Sequence, residues 1–434
     1  MYNFEEKKKI PLEVREGNLN KVAFSDSVYI NQKCSEMEAE GRNIFKFGFG
    51  QSPFYPPQNV RDALNANGNF TSYTHPQGVI SLREKIADFH STQKTNITAD
   101  NVFVGPGSKM MIFAIMAIFK QATIFIPAPS WVSYEPQARI LNQHVKRIKT
   151  DRSNRYLLNN ELLEKAFSQT PVNDNRQKIL ILTYPGNPNG ISYSSDNLRA
   201  LARICQRHNV LIIADEISSL LTYTGRHESI IDYYPEGTIV TTGLSKWCAV
   251  GGWRLGCCYY SRDLGDSLKS TLLGICLETY SCVASPIQNA AIVAYENLKL
   301  DKGYLYKQRR ILQYLSEYSY GRFNDHNIVT DKGEGGFCLM LDFSKYKEKL
   351  KKHDLTSDSK LCLDLLESKN VMLLPASSFG MRDHDYLARY AFVDFDGAGA
   401  LGEFTGEFTE EYCNKYFAKI YEGVSRICEY VRNL

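Results

Sequence analysis

The residues best suited to chemistry cluster at positions 238–256, TIVTTGLSKWCAVGGWRLG. A β-branched apolar run, 238–242, stops at Gly243, and Lys246 follows almost at once. A lysine just past a strand end sits at the rim of a sheet. Partial desolvation there lowers its pKa and makes its amine a nucleophile toward aldehydes. Arg254 stands eight residues on, among Gly251, Gly252 and Gly256, whose backbone can approach a ligand closely. An arginine in such a setting suits a phosphate. An aldehyde joined to a phosphate describes pyridoxal 5′-phosphate. An ordinary surface Lys and an ordinary surface Arg would look the same in isolation; the elements that carry them decide.

From Asn101 onward, short apolar runs alternate with amphipathic stretches. NVFV (101–104) predicts a strand that turns at Gly105, Pro106 and Gly107, with Ser108 placed to cap the next helix. That helix, 110–119, is apolar all round, which predicts burial. The Walker spacing is absent, yet a glycine turn into a helix N-terminus still offers N–H groups to an anion. ATIFI (122–126), KILIL (178–182), VLIIA (210–214) and TIVTT (238–242) read as continuous apolar strands. Within 194–209, Leu198, Leu201, Ala202 and Cys205 fall at i, i+3, i+4 and i+7 of a helix that Ser194 or Ser195 would cap. This rhythm predicts an α/β fold with a mostly parallel sheet covered on both faces.

Trp131, Asn187, Asp215 and Lys246 each fall at or just beyond the C-terminal end of a different predicted strand. Ligands of open α/β sheets bind at that edge. Asp215, in an apolar context, would need a cationic partner, which a protonated pyridine nitrogen supplies. A strand-end Asp also caps helices or bonds backbone. Asn187 could donate to a phenolic oxygen, or could serve only its own N-P-N-G turn. Trp131 could stack on a ring, or fill core.

The totals exclude other classes. A chain of 434 residues holds two or three domains and a large core. With 43% hydrophobic and 23% charged residues it is neither disordered nor fibrous. A net charge of +3 gives no case for nucleic acid, and Lys7, Lys8 and Lys9 beside Glu5 and Glu6 read as a solvated tail. The longest apolar stretch, 110–119, is too short for a bilayer, and the first ten residues lack a signal-peptide core. Eleven cysteines without a C-x-x-C pair read as reduced, mostly buried thiols of a cytoplasm-like compartment, with no metal site. After about residue 300 the rhythm loosens into an α+β part. It holds a strand in 334–343, a helix, strand and turn across 361–380, and a half-buried alternating strand in 386–395 that carries Arg389. GEFTGEFTEEY (402–412) reads as a polar loop entering the last helix.

Together, SYTHPQG (72–78), GPGSK (105–109), PAPSWVSY (127–134), YPGNPNG (184–190), ADEI (214–217), SKWCAVGGWRLG (245–256) and ARYAF (388–392) form a pattern. It resembles the fold-type I pyridoxal-phosphate enzymes, specifically the class I/II aminotransferases related to aspartate aminotransferase, over about residues 40–430. The resemblance implies that Lys246 carries the cofactor covalently, that Asp215 binds its ring nitrogen, that Asn187 binds its phenolic oxygen, and that Trp131 stacks on the ring. Gly107, Ser108 and Arg254 would hold the phosphate, with Ser245 in a lesser part. Tyr73 would reach the phosphate of the other subunit, which implies a homodimer. Arg389 would grip the substrate α-carboxylate, helped by the backbone at Gly50. Lys109 would meet the distal carboxylate of aspartate or glutamate.

The implied division is an N-terminal arm (1–30), a large cofactor-binding domain (61–304) and a small domain assembled from 31–60 and 305–434. One position departs from the pattern: such enzymes place Tyr three residues after the ring-binding Asp, and here that residue is Ser218. The implied activity is ping-pong transfer of an α-amino group from an L-amino acid to a 2-oxo acid, in the cytoplasm. The same residues also serve C–S lyases and elimination or cyclisation of the 1-aminocyclopropane-1-carboxylate type. Non-catalytic regulators on this fold carry a DNA-binding domain in front, and about 40 residues before the first motif are too few for one.

Overall fold

The computed structural model describes residues 26–169, 175–265, 267–300 and 302–434. Most of the expected arm, with Lys7, Lys8 and Lys9, lies outside them; its final residues begin the helix Asp26–Ala39. A short strand, β1 (Phe45–Lys46), precedes the main sheet. That sheet has seven strands: β2 (Val102–Gly105), β3 (Ala122–Ala128), β4 (His144–Lys149), β5 (Gln177–Thr183), β6 (Val210–Asp215), β7 (Thr238–Gly243) and β8 (Gly256–Tyr260). Their order is β2-β8-β7-β6-β5-β3-β4. All neighbouring pairs from β7 to β4 are parallel, and β8 runs antiparallel between β7 and β2.

The continuous apolar strands are explained by cover on both faces. Successive side chains alternate between faces. Ile179, Ile181, Ile213 and Ile239 pack with Met111 and Ile115 of the helix Ser108–Ala117 and with Leu272 of the helix Ser267–Tyr280. Leu180, Leu182, Ile212 and Val240 lie in a second cluster with Leu198, Leu201 and Cys205 of the helix Ser195–Arg207. Ser194 caps that helix, accepting from Asn197 N.

Among the described residues, the rest of the chain adds two small sheets. β1 pairs in parallel with β10 (Val371–Met372), so residues near 45 fold with the C-terminal third. β9 (Cys338–Asp342), β11 (Leu374–Pro375) and β12 (Leu387–Ala391) form a three-stranded sheet in the order β11-β12-β9.

Three expectations need correction. β12 is buried at every residue, not half-buried, because both of its faces are covered: Leu387 packs with Met340 and Ala376, and Ala388 and Tyr390 lie in the main core. The 402–412 stretch is not a purely polar loop: Gly402 and Glu403 end the helix Gly397–Glu403, Phe404 is buried, and Phe408 stacks on Tyr314 at 4.1 Å. Ser108 is the first residue of its helix rather than its cap. Gly107 takes the cap position at φ +91°, a conformation that favours glycine, and no side chain caps the helix.

Candidate active site

A cavity of about 450 Å³ opens at the C-terminal edge of the main sheet. Trp131 reaches it from beyond β3, Asn187 from beyond β5, Asp215 from the end of β6 and Lys246 from beyond β7. Ser108, Lys109, Ser245, Arg254 and Gly50 line it as well. Of the remaining expected residues, Gly107 adjoins the guanidinium of Arg254, Arg389 bonds to Asn187, and Tyr73 is 90% exposed and away from the lining.

Asp215 is 3% exposed. Its donors are neutral: the hydroxyl of Tyr134 at 2.6 Å, Ile217 N at 3.4 Å and Thr241 Oγ1 at 3.4 Å. Burial pushes its carboxyl up to about 6, against the downward pull of the Tyr134 hydrogen bond. A buried carboxylate without a bonded cation is costly, and such a group is held open for a cationic ligand. Lys246 is half-buried, and desolvation of its amine lowers its pKa, which favours the neutral, nucleophilic form. In this structure its Nζ donates to the carbonyl of Gly50 and lies 5.4 Å from the centre of the Phe337 ring.

The end of the cavity at Arg254 is built by close backbone approach. Arg254 adopts φ +57° and donates to the carbonyls of Gly251 (2.7 Å) and Pro106 (3.3 Å). A Cβ on Gly107 would strike the Arg254 guanidinium, and a Cβ on Gly256 would strike Gly107 and the amide of Ser108. Arg254 is thereby held against the uncapped start of the helix Ser108–Ala117, where free N–H groups and the helix dipole favour an anion.

Lys109 is the second residue of that same helix, a poor place for a cation by about 0.3–1 kcal/mol. Its Nζ lies 5.0 Å from the Trp131 ring centre, a contact worth about 0.5–1 kcal/mol, so the two effects nearly cancel. Burial, and then the nearby Arg254, lower its pKa. Arg389 comes from β12, 6% exposed. It donates to Asn187 Oδ1 at 3.1 Å and to the carbonyl of Gly48, and its guanidinium lies 4.8 Å from the Phe379 ring centre. Its Nε is buried and has no partner. The Nη atoms of the same guanidinium are the ones that face Gly50, at 3.6 and 3.9 Å from where a Cβ on that residue would stand.

The cavity also holds residues that the sequence did not single out for the site, among them Tyr134, Thr183, Ile217 and Gln51. Tyr134 was findable: it lies three residues after Trp131, one helical turn on, in the motif PAPSWVSY. Ser218 does not line the cavity; it precedes the short 3-10 turn Ser219–Leu221.

Residues 42–389 match the family model described as aminotransferase class I and II. The chain belongs to this family. It is therefore an aminotransferase, and enzymes of this family use pyridoxal phosphate. Among its relatives is the aspartate aminotransferase of Bacillus subtilis (strain 168), 27% identical over 380 residues, which are 85% of this chain and 93% of the relative. The fold matches the crystal structure of the Thermotoga maritima aspartate aminotransferase with a TM-score of 0.78 at 22% identity, covering 95% of this aminotransferase and 99% of that chain. It also matches the aromatic aminotransferase of Pyrococcus horikoshii OT3 with a TM-score of 0.76 at 22% identity, covering 92% and 99%. The side chains fit the family's cofactor: an anion cradle closed by glycines, a buried carboxylate bonded only to neutral donors, and a half-buried lysine in the same cavity. Among the described residues no cluster of potential metal ligands exists and no helix is long and apolar enough to cross a membrane.

Proposed function

We propose that this aminotransferase moves the α-amino group of an acidic L-amino acid, aspartate or glutamate, to a 2-oxo acid. The observation that carries the reading is the pairing in one cavity of a half-buried lysine, Lys246, whose pKa desolvation lowers, with a buried carboxylate, Asp215, that lacks a bonded cation. Pyridoxal phosphate, when bound, supplies the electron sink for the charge left by the departing α-proton. Lys246 is the residue that carries it, and Lys246 Nζ is the base for that proton. Asp215 holds the ring-nitrogen proton, Asn187 addresses the phenolic oxygen, and Trp131 covers the ring face. Arg254 with the backbone at Gly107 and Ser108 holds the phosphate, and Ser245 contributes its hydroxyl.

The substrate α-carboxylate takes the Nη end of the Arg389 guanidinium, beside Gly50. The distal carboxylate takes Lys109, a cation of the lining that lies against the Trp131 ring. The naming of several relatives as aspartate aminotransferases supports that choice.

In this reading, residues 61–304 form the cofactor-holding domain, and 31–60 with 305–434 form the smaller one that brings Gly50 and Arg389. Tyr73, almost fully exposed, is free to complete the phosphate site of a second copy, so the working unit is a homodimer. Eleven free thiols suit the reducing cytoplasm. The test is a screen of amino acids against the visible band of the purified, cofactor-loaded protein. Aspartate or glutamate should convert the band to that of the aminated cofactor, and a 2-oxo acid should restore it. Release of ammonia or a thiol with no lasting conversion would assign lyase chemistry instead.

A further inference from the structure

Asp215 and Glu216 are adjacent in the chain but serve opposite faces of the sheet, as strand alternation requires. Asp215 looks into the cavity. Glu216 is 3% exposed and lies behind it, beside Tyr184. The register of β5 on β6 explains the pairing: Thr183 stands opposite Asp215, so the next residues, Tyr184 and Glu216, meet on the reverse face.

The contacts there form a closed network. The Tyr184 hydroxyl donates to Glu216 Oε1 at 2.9 Å and accepts from Ile230 N at 2.8 Å. The Ser229 hydroxyl also donates to Glu216 Oε1. His227 brings Nε2 to 3.0 Å from Glu216 Oε2, close enough for an ion pair though out of line for a hydrogen bond, and stacks on the Tyr184 ring at 5.2 Å. The Glu216 backbone is pinned to β7 through Thr241 O at 2.9 Å.

Asn187 lies three residues beyond Tyr184, in the turn that starts there. Glu216 therefore joins the two strand ends that present Asp215 and Asn187. Those are the residues assigned above to the two sides of the cofactor ring.

We infer that Glu216 is a positioning residue for amino transfer: from the reverse face it fixes the spacing of Asp215 and Asn187, with Tyr184 as its link to the Asn187 turn. The inference rests on the amino-transfer reading for its effect on turnover, but not for its effect on local structure. A buried carboxylate that loses its partners is strongly disfavoured, so the network holds together or fails together. A glutamine at 216 keeps an acceptor for Tyr184 and Ser229, whereas an alanine keeps none.

The test compares Glu216→Ala, Glu216→Gln and Tyr184→Phe with Leu198→Ala, a core variant on the same face chosen for a similar loss of thermal stability. Peptide-level hydrogen exchange is measured on the cofactor-free proteins, and kcat and KM on the loaded ones. Glu216→Ala is expected to raise exchange in the peptide spanning 184–191 and to lower kcat at least tenfold while KM for the amino acid stays within about twofold. Glu216→Gln should restore most of both, and Tyr184→Phe should repeat the exchange change. If Glu216→Ala falls no further in kcat than Leu198→Ala, or if the 184–191 peptide is unchanged, the inference is overturned. Should Glu216→Ala fail to fold, Tyr184→Phe decides: unchanged exchange and unchanged kcat overturn the inference. If the wild type shows no amino transfer, the functional reading falls, and the exchange data alone decide the role of Glu216.

Discussion

Asp215→Asn should make the cofactor-free protein more stable at neutral pH while ruining cofactor binding. Burial raises the Asp215 carboxyl from 3.8 to about 6. The folded state therefore holds this proton more tightly than the unfolded state. Stability falls as pH rises from about 4 to about 6, and above that the full cost of the buried carboxylate remains. A rise of this size corresponds to about 3 kcal/mol. Asparagine is neutral and nearly the same size. It can still accept from Tyr134, but it gives up one acceptor that now serves Ile217 N and Thr241 Oγ1, a loss of about 1 kcal/mol. The net expectation is a gain of about 2 kcal/mol at pH 7.5.

Thermal unfolding of both cofactor-free proteins from pH 4 to pH 8 measures it. The difference between them should be near zero or slightly negative at pH 4, grow through pH 6 and level off above it. Asp358, also raised to about 6 by burial, and His90, lowered to about 4 by burial, are present in both proteins and cancel in the difference. Saturating pyridoxal phosphate should then reverse the order, because only the wild type gains binding energy, about 2.7 kcal/mol at a hundredfold excess over Kd. A stability difference that ignores pH, or a wild type that is the more stable cofactor-free protein at pH 7.5, would refute the claim that Asp215 is held ready for a cation.

Borohydride reduction of the loaded protein, followed by peptide mapping, should place the adduct on Lys246; an adduct on any other lysine refutes its assignment. Lys109→Ala should lower kcat/KM for an acidic substrate about thirtyfold, roughly 2 kcal/mol, and barely affect a neutral amino acid of similar size. Arg389→Ala should damage both, and equal losses in Lys109→Ala would assign Lys109 to the cofactor instead. Ser218→Tyr should lower the pH midpoint of the bound cofactor's visible band by adding a donor near the phenolic oxygen. A midpoint that stays put or rises means another donor already fills that role.

The chemistry of the site was legible because it sits at strand ends. Apolar runs mark β3, β5, β6 and β7 in the sequence, and Trp131, Asn187, Asp215 and Lys246, each of which follows one of those runs, meet at the same edge of the sheet. The Lys246–Arg254 spacing was equally open to reading, since the tight turn needs glycines and glycines are visible. What stayed hidden depends on contacts between segments far apart in the chain. The stack of Lys109 on Trp131, the hold of Arg389 on Gly48 and Asn187, and the central place of β12 have no local periodicity to announce them. Ser108 misled because Ser is a common cap, while the cap geometry here needs a positive φ that glycine tolerates and serine does not.

Glu216 sharpens the point. In the sequence, Asp215-Glu216 is a pair of acids past an apolar strand, and the resemblance gives a part to Asp215 and none to Glu216. Alternation sends them to opposite faces but does not say which face holds the cavity. That follows only when β5 is laid on β6 with Thr183 opposite Asp215. Thr183 and Asp215 then both line the cavity, and Tyr184 and Glu216 both back it. The same register thus fixes two layers at once, one that touches the ligand and one that sets the distance between the strand ends that touch it.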